Sequence, residues 1–528
     1  MTDGKNRIGF SLSAESNSTF NVYSPVKSEM LPEAFHTATR EELDLAVQRA
    51  QQAQLVYKAK SSEQRAAFLR AIADEIEHNL ETIIARSELE TGLPKGRLTG
   101  ECARTTNQLR LFAQVVEDGA WLEASIDLAD PERMPLPKPG IRKMLAPLGV
   151  VGVFTASNFP LAFSTAGGDT ASALAAGNAV IVKAHPYHAG TNELVSDAII
   201  EAAKKTGMPD GIFSSLNAVD FSIGQALVTH PGVKAISFTG SFKGGKALYD
   251  LAQKRDELIP VFTEMGSINP IVILPEQLAT KAADLARRLA SSITLGSGQF
   301  CTNPGFMVAM KGKGLDEFKV ELAKTIEASI PQLMLHPNIR AAYGNGLDKF
   351  KAVTNFKMLA DAGTGSKEDE SCAAVGSVSA KDFIENPALS EEVFGPFSLL
   401  VECENEDEML AVLRHLKGQL TTTVMGTDDD VKNYESVVDR LQDICGRLIF
   451  NGVPTGVEVC YSMHHGGPYP ATTDSRFTSV GADAIKRFAR PVAFQDAPDD
   501  YLPVELKNRN ERNIWRRIDG RLSKDNID

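Results

Sequence analysis

The chain has 528 residues, 43% hydrophobic and 23% charged, which excludes global disorder and leaves room for roughly two to four structural units. Fifty-five Lys and Arg against 68 Asp and Glu leave a net charge of −13, a balance that argues against nucleic acid or an anionic membrane as the main partner. Six scattered cysteines without a Cys-x-x-Cys pair, no leader pattern in residues 1–20 and no long apolar run predict a reduced, cytoplasmic protein without disulfides, bound metal or membrane span.

The first predicted element is helical. Leu43, Ala46, Val47 and Ala50 fall at i, i+3, i+4 and i+7, and Leu69, Ile72, Ile76, Leu80 and Ile83 continue on one face. Residues 130–140 carry four prolines and read as a connector. Apolar runs at 148–154, 179–182, 233–238 and 259–263 predict strands, with helices over 192–205 and 224–230 between them. That alternation implies a parallel sheet covered on both faces. A second α/β unit is expected from about 270 to 451, opening with a helix over 277–295. The mixed-charge tail, 501–528, reads as a surface extension.

Three segments could carry chemistry. The usual Gly-x-Gly-x-x-Gly fingerprint is absent, and Gly240-Ser241-Phe242-Lys243-Gly244-Gly245 stands where a strand feeds a helix. Free helix amides beside glycines suit a pyrophosphate, while Ser241 equally fits a simple N-cap. Cys301, in Gly298-Gln299-Phe300-Cys301-Thr302, is a candidate nucleophile that needs a base, because a free thiol titrates near ~8.5; the competing reading is a buried structural cysteine. Glu264 closes an apolar strand, where a carboxylate is costly unless paired, used or solvated.

Taken in order, Asn158 in Ser157-Asn158-Phe159-Pro160, Lys183, Gly240-Ser241, Glu264, Cys301 and Glu392-Val393-Phe394-Gly395-Pro396 resemble the aldehyde dehydrogenase superfamily over roughly residues 20–500. The resemblance implies an α/β fold: a Rossmann-like parallel-sheet cofactor domain (1–130 and 148–262), an α/β catalytic domain (263–470), a small β oligomerisation extension (131–147 and 471–500) and the C-terminal extension. It implies Cys301 as nucleophile, Asn158 with the Cys301 amide as oxyanion hole, and Glu264 as the base that activates water. It also implies that Lys183, Gly240, Ser241, Gly245, Glu392 and Phe394 bind NAD or NADP, and that the chain forms a homodimer or homotetramer acting on a small aldehyde.

Departures narrow the reading. The family's frequent acidic residue three positions after the lysine is Pro186 here, which removes a repulsion of the 2′-phosphate and makes NADP admissible beside NAD, with Asp220 in a loop that could face the same ribose. The segments 301–305, 453–457 and 466–473 look like the α-ketoglutaric semialdehyde (2,5-dioxopentanoate) dehydrogenases, which oxidise 2-oxoglutarate semialdehyde to 2-oxoglutarate. Arg104, at a helix position whose family equivalent lines the aldehyde tunnel, would clamp the distal carboxylate with Gln108 one turn on; Arg110 competes for that role, and a plain surface arginine is the bland reading. His464-His465 lack ligand-spaced neighbours for a metal. The rivals are a dehydrogenase of uncharged medium or long aliphatic aldehydes and an inactive structural relative, although the latter would have no need of Cys301 and Glu264.

Overall fold

The computed structural model describes residues 2–363, 365 and 368–527. Its first unit is a seven-stranded sheet whose parallel part runs Val261–Glu264, Val233–Thr239, Val150–Phe154, Val180–Lys183, Phe213–Leu216 in spatial order. Val150–Phe154 and residues 180–182 are apolar runs buried on both faces, as a helix-covered parallel sheet requires. The antiparallel pair Asn6–Ile8 and Ser11–Ser13 extends the sheet beyond Phe213–Leu216.

Of the four N-terminal helices, the first packs on this sheet and the next three pack on other helices. Capping boxes at Thr39–Glu42 and Ser61–Gln64 start Arg40–Tyr57 and Ser62–His78 by satisfying the first free amides. The chain leaves helical geometry at Asn79, so Leu80 and Ile83 belong to a separate helix, Leu80–Thr91, and the continuous face expected from spacing is broken there. Gly92, with φ 67°, ends that helix, and Pro94 precedes the long helix Lys95–Asp118.

The second unit is also seven-stranded, in the order Lys357–Asp361, Ala374–Ser379, Phe397–Cys403, Phe306–Met310, Ile271–Ile273, Gln419–Met425, Cys445–Phe450. Its strands are parallel except the first. Helix Pro275–Thr294 packs Leu278, Leu285, Leu289 and Ile293 against one face. A five-stranded sheet joins Ala489–Gln495, Ile141–Pro147, Ser125–Asp127, Arg516–Ile518 and Arg521–Ser523, so the tail supplies two strands and buries Arg516. Among the described residues no helix is long and apolar enough to cross a membrane.

Candidate active site

In the first sheet the strand order reverses between Val150–Phe154 and Val233–Thr239. Chains leaving the carboxyl ends of two such strands diverge to opposite faces and open a crevice, the usual ligand position in an open parallel sheet. Residues 155–159 leave one of these strands and Gly240-Ser241 the other, while Glu264 ends the neighbouring strand.

Cys301 reaches this crevice from the second unit. Gly296, Ser297 and Gly298 have φ of 55°, 57° and 63° and turn the chain sharply after helix Pro275–Thr294. Asn269 Nδ2 then donates to the carbonyls of Cys301 and Asn303, both at 2.9 Å, fixing the loop from below. The Cys301 sulfur is half-buried and lies 3.6 Å from His465 Nε2, which lies 3.0 Å from Glu264 Oε1. Ser479 Oγ donates to Glu264 Oε2 at 2.6 Å.

The electrostatics divide the labour. Burial pushes the Glu264 carboxyl up, but the His465 ring and hydrogen bonds from His465, Ser479 and Cys301 outweigh it and hold the group below its ordinary range. An ionised Glu264 can only accept in the 3.0 Å contact, so His465 Nε2 carries a proton there. Burial, together with the carboxylates of Glu264 and Glu392, drives the Cys301 thiol well above its ordinary value, so the resting sulfur is protonated with a base beside it.

Asn158 is buried, and its Nδ2 donates to the Gln299 carbonyl at 3.1 Å, which places the amide against the segment leading into Cys301. Arg104 lies with its guanidinium 5.0 Å over the Phe163 ring. Its Nε makes one long contact to the Val457 carbonyl at 3.4 Å, and both terminal nitrogens are buried without a partner. Burial lowers its pKa, while Glu101, Cys301 and Glu264 act in the opposite sense. A buried cation with free donors is costly unless an anion completes it. Arg110 instead pairs with Asp74 and Glu77 at the surface and is removed from the contest. Gln108 is fully buried, with its Nε2 unpartnered and packed against Gly168 rather than shown beside the sulfur.

The cofactor candidates line the same crevice. Lys183 ends its strand, donates to the Ala218 carbonyl at 2.8 Å and is lowered to about 8 by burial, with Asp220 opposing the shift. Ser241 is the N-cap of helix Phe242–Ala252 and accepts from the Gly244 amide at 3.2 Å. A Cβ at Gly240 would stand 2.6 Å from the Phe238 ring and one at Gly245 2.7 Å from Met265, so the turn sits close on the strand below it. Glu392 places its carboxylate against Gly266, where a Cβ would meet it at 2.2 Å, with Phe394 half-buried beside it. Desolvation by the surrounding protein raises the Glu392 carboxyl, against the lowering effect of a hydrogen bond from the Ser267 backbone. Glycine turn, helix N-terminus, lysine and carboxylate together fit a dinucleotide laid across the strand ends.

Sequence reasoning passed over His465, dismissed as a metal ligand yet central here, and Arg447. Arg447 donates to the Pro454 and Gly456 carbonyls at 3.1 and 3.2 Å, and burial lowers its pKa against the raising effect of Cys301. The glycine pair that follows His465 was the one local hint to it.

The model of the Aldehyde dehydrogenase family matches residues 12–469. The chain is 48% identical over 522 residues to Alpha-ketoglutaric semialdehyde dehydrogenase 2 of Azospirillum brasilense, covering 98% of this chain and 99% of the relative. It is 42% identical over 490 residues to Alpha-ketoglutaric semialdehyde dehydrogenase of Acinetobacter baylyi, covering 93% of each. Among solved structures, an NADP-dependent glyceraldehyde-3-phosphate dehydrogenase from Bacillus halodurans, complexed with NADP, shares the fold with a TM-score of 0.78 at 20% identity, covering 94% of this chain and all (100%) of that one. A 1-pyrroline-5-carboxylate dehydrogenase does so with a TM-score of 0.79 at 20% identity, over 93% of this chain and 92% of that one. The chain belongs to the aldehyde dehydrogenase family.

Proposed function

We propose that this enzyme oxidises 2-oxoglutarate semialdehyde to 2-oxoglutarate with NAD or NADP. The observation that carries the chemistry is the cluster of Cys301, His465 and Glu264 at the strand ends, joined by contacts of 3.6 and 3.0 Å. Two relatives named for this aldehyde, at 48% and 42% identity, support the substrate, as does the unpartnered guanidinium of Arg104.

Lys183, the amides at the start of helix Phe242–Ala252 and Glu392 would hold the dinucleotide. The bound nicotinamide supplies the hydride acceptor. Glu264 takes the thiol proton, and the Cys301 sulfur bonds to the aldehyde carbon as the carbonyl electron pair moves to oxygen. Asn158 Nδ2 and the Cys301 amide receive that negative oxygen; losing one such donor costs about 2.7–4 kcal/mol in the transition state. Collapse of the thiohemiacetal expels hydride and leaves a thioester on Cys301. Glu264, after releasing its first proton to solvent, takes a proton from water as the hydroxide attacks the thioester carbon, and the thiolate departs. His465 Nε2–H faces both anions of this sequence and follows the charge between Glu264 and Cys301. Arg104 meets the distal carboxylate with its two free nitrogens.

The test is kcat/KM for 2-oxoglutarate semialdehyde against pentanal, each with NAD and NADP. A preference of a hundredfold or more for the acidic aldehyde, about 2.7 kcal/mol, that collapses in Arg104→Met is expected. Equal use of pentanal by the unaltered enzyme would instead place it among dehydrogenases of uncharged aldehydes.

A further inference from the structure

One stripe of helix Lys95–Asp118 underlies the site. Arg97, Glu101, Arg104 and Gln108 recur at i, i+4, i+7 and i+11, the spacing that lines up side chains along one helix face. Glu101 Oε1 accepts from the amides of Leu161 and Ala162 at 2.8 and 3.0 Å. One turn earlier, Arg97 Nη2 donates to the Asn158 carbonyl at 2.8 Å. Its guanidinium also lies 5.0 Å from the Phe159 ring and 4.7 Å from the Phe300 ring, and those rings meet edge to face at 5.4 Å.

Phe159 follows Asn158, and Phe300 precedes Cys301. One planar cation therefore grips the neighbours of both groups assigned above to the oxyanion hole. The two groups come from different sheets, separated by more than a hundred residues of chain, and their segments also meet through the Phe159 and Phe300 rings and the Asn158 to Gln299 contact at 3.1 Å. No carboxylate lies within ion-pair distance of Arg97 among the described residues. Its Nη1 is buried without a partner, and burial lowers its pKa. Glu101, one turn on, opposes that lowering, and its carboxylate keeps the Leu161 and Ala162 amides when Arg97 is replaced by an apolar side chain of similar length, so little loss of fold stability is expected.

We propose that Arg97 is a positioning residue that sets the Asn158 amide and the Cys301 backbone amide at the separation required to receive the oxyanion. It touches neither substrate nor cofactor and acts through the two loops. The inference rests on the oxyanion reading of Asn158, so its test separates the two.

The experiment is a double-mutant cycle on the full-length enzyme: unaltered, Arg97→Met, Asn158→Ala and the double variant, read as kcat/KM with the faster of 2-oxoglutarate semialdehyde and pentanal. Asn158→Ala is expected to cost roughly 10²–10³-fold. Arg97→Met is expected to cost about tenfold or more in the unaltered enzyme and under about twofold once Asn158 is gone, the non-additivity of residues acting as a unit. The melting temperature and the rate of Cys301 alkylation by iodoacetamide are expected to stay near those of the parent. An equal loss in both backgrounds would make Arg97 a merely structural residue, and no loss in the first would overturn the proposal outright. A silent Asn158→Ala would refute the oxyanion reading itself. If Arg97→Met does not fold, the same cycle with Arg97→Lys, which keeps the charge but not the planar donor between the rings, decides on the same criteria.

Discussion

At the scale of single residues, Glu264 is held below its ordinary range because His465, with hydrogen bonds from Ser479 and Cys301, outweighs the burial that would neutralise it. Substituting His465→Phe removes both the ring's charge effect and its hydrogen bond, so the Glu264 pKa rises. A base acts only when ionised, so the acidic limb of the kcat/KM profile is expected to move to higher pH, with a greater loss at pH 6 than at pH 8. A profile that keeps its acidic limb would show that the 3.0 Å contact has no part in catalysis. Cys301, Glu264 and Asn158 were legible in the sequence because each sits in a local motif. His465 was not: its partner Glu264 is 201 residues away, and the pair exists only once two sheets meet. Arg447 was hidden in the same way, as one charged residue in a strand.

At the scale of elements, the strands that were legible are dominated by apolar residues, such as Val150–Phe154 and Val180–Lys183. Phe213–Leu216 escaped notice because two of its four residues are serines, and burial there comes from the helices around it rather than from its own composition. Helix Lys95–Asp118 was seen only through Arg104, since the face that serves the site is polar and masks the apolar one. The turn before Cys301 depends on glycine for two reasons: Gly298 has φ 63°, and a Cβ there would stand 2.2 Å from the Gly395 carbonyl oxygen. Gly298→Ala is therefore expected to shift the Cys301 loop and to lower kcat/KM by more than about tenfold, as small misplacements of reacting groups do. An alanine enzyme with unchanged kinetics would show that the loop tolerates the clash elsewhere.

At the scale of the whole molecule, the candidate active site is assembled between two largely parallel sheets. The first brings the strand-end crevice and Glu264, the second brings Cys301 on its left-handed turn, and residues 465–479 close the gap through His465 and Ser479. The two-sheet plan was readable from alternating strands and helices; in the five-stranded sheet, the pair Ile141–Pro147 and Ala489–Gln495 lies within the residues of the expected β extension, whereas Ser125–Asp127 and the two tail strands were not foreseen. The central claim is that the acyl group passes through a thioester on Cys301 which Glu264 helps to hydrolyse. Glu264→Gln tests it most directly: the substitution removes the base for both proton transfers but also an anion that pushes the Cys301 thiol up, so acylation is slowed yet still proceeds from thiolate formed by proton loss to solvent, while deacylation stalls. Mixing that variant with 2-oxoglutarate semialdehyde and oxidised cofactor, then measuring intact and peptide mass, is expected to show one acyl adduct on Cys301 with about one reduced cofactor formed per site. Turnover at the parent rate, or no adduct on Cys301, would contradict the account.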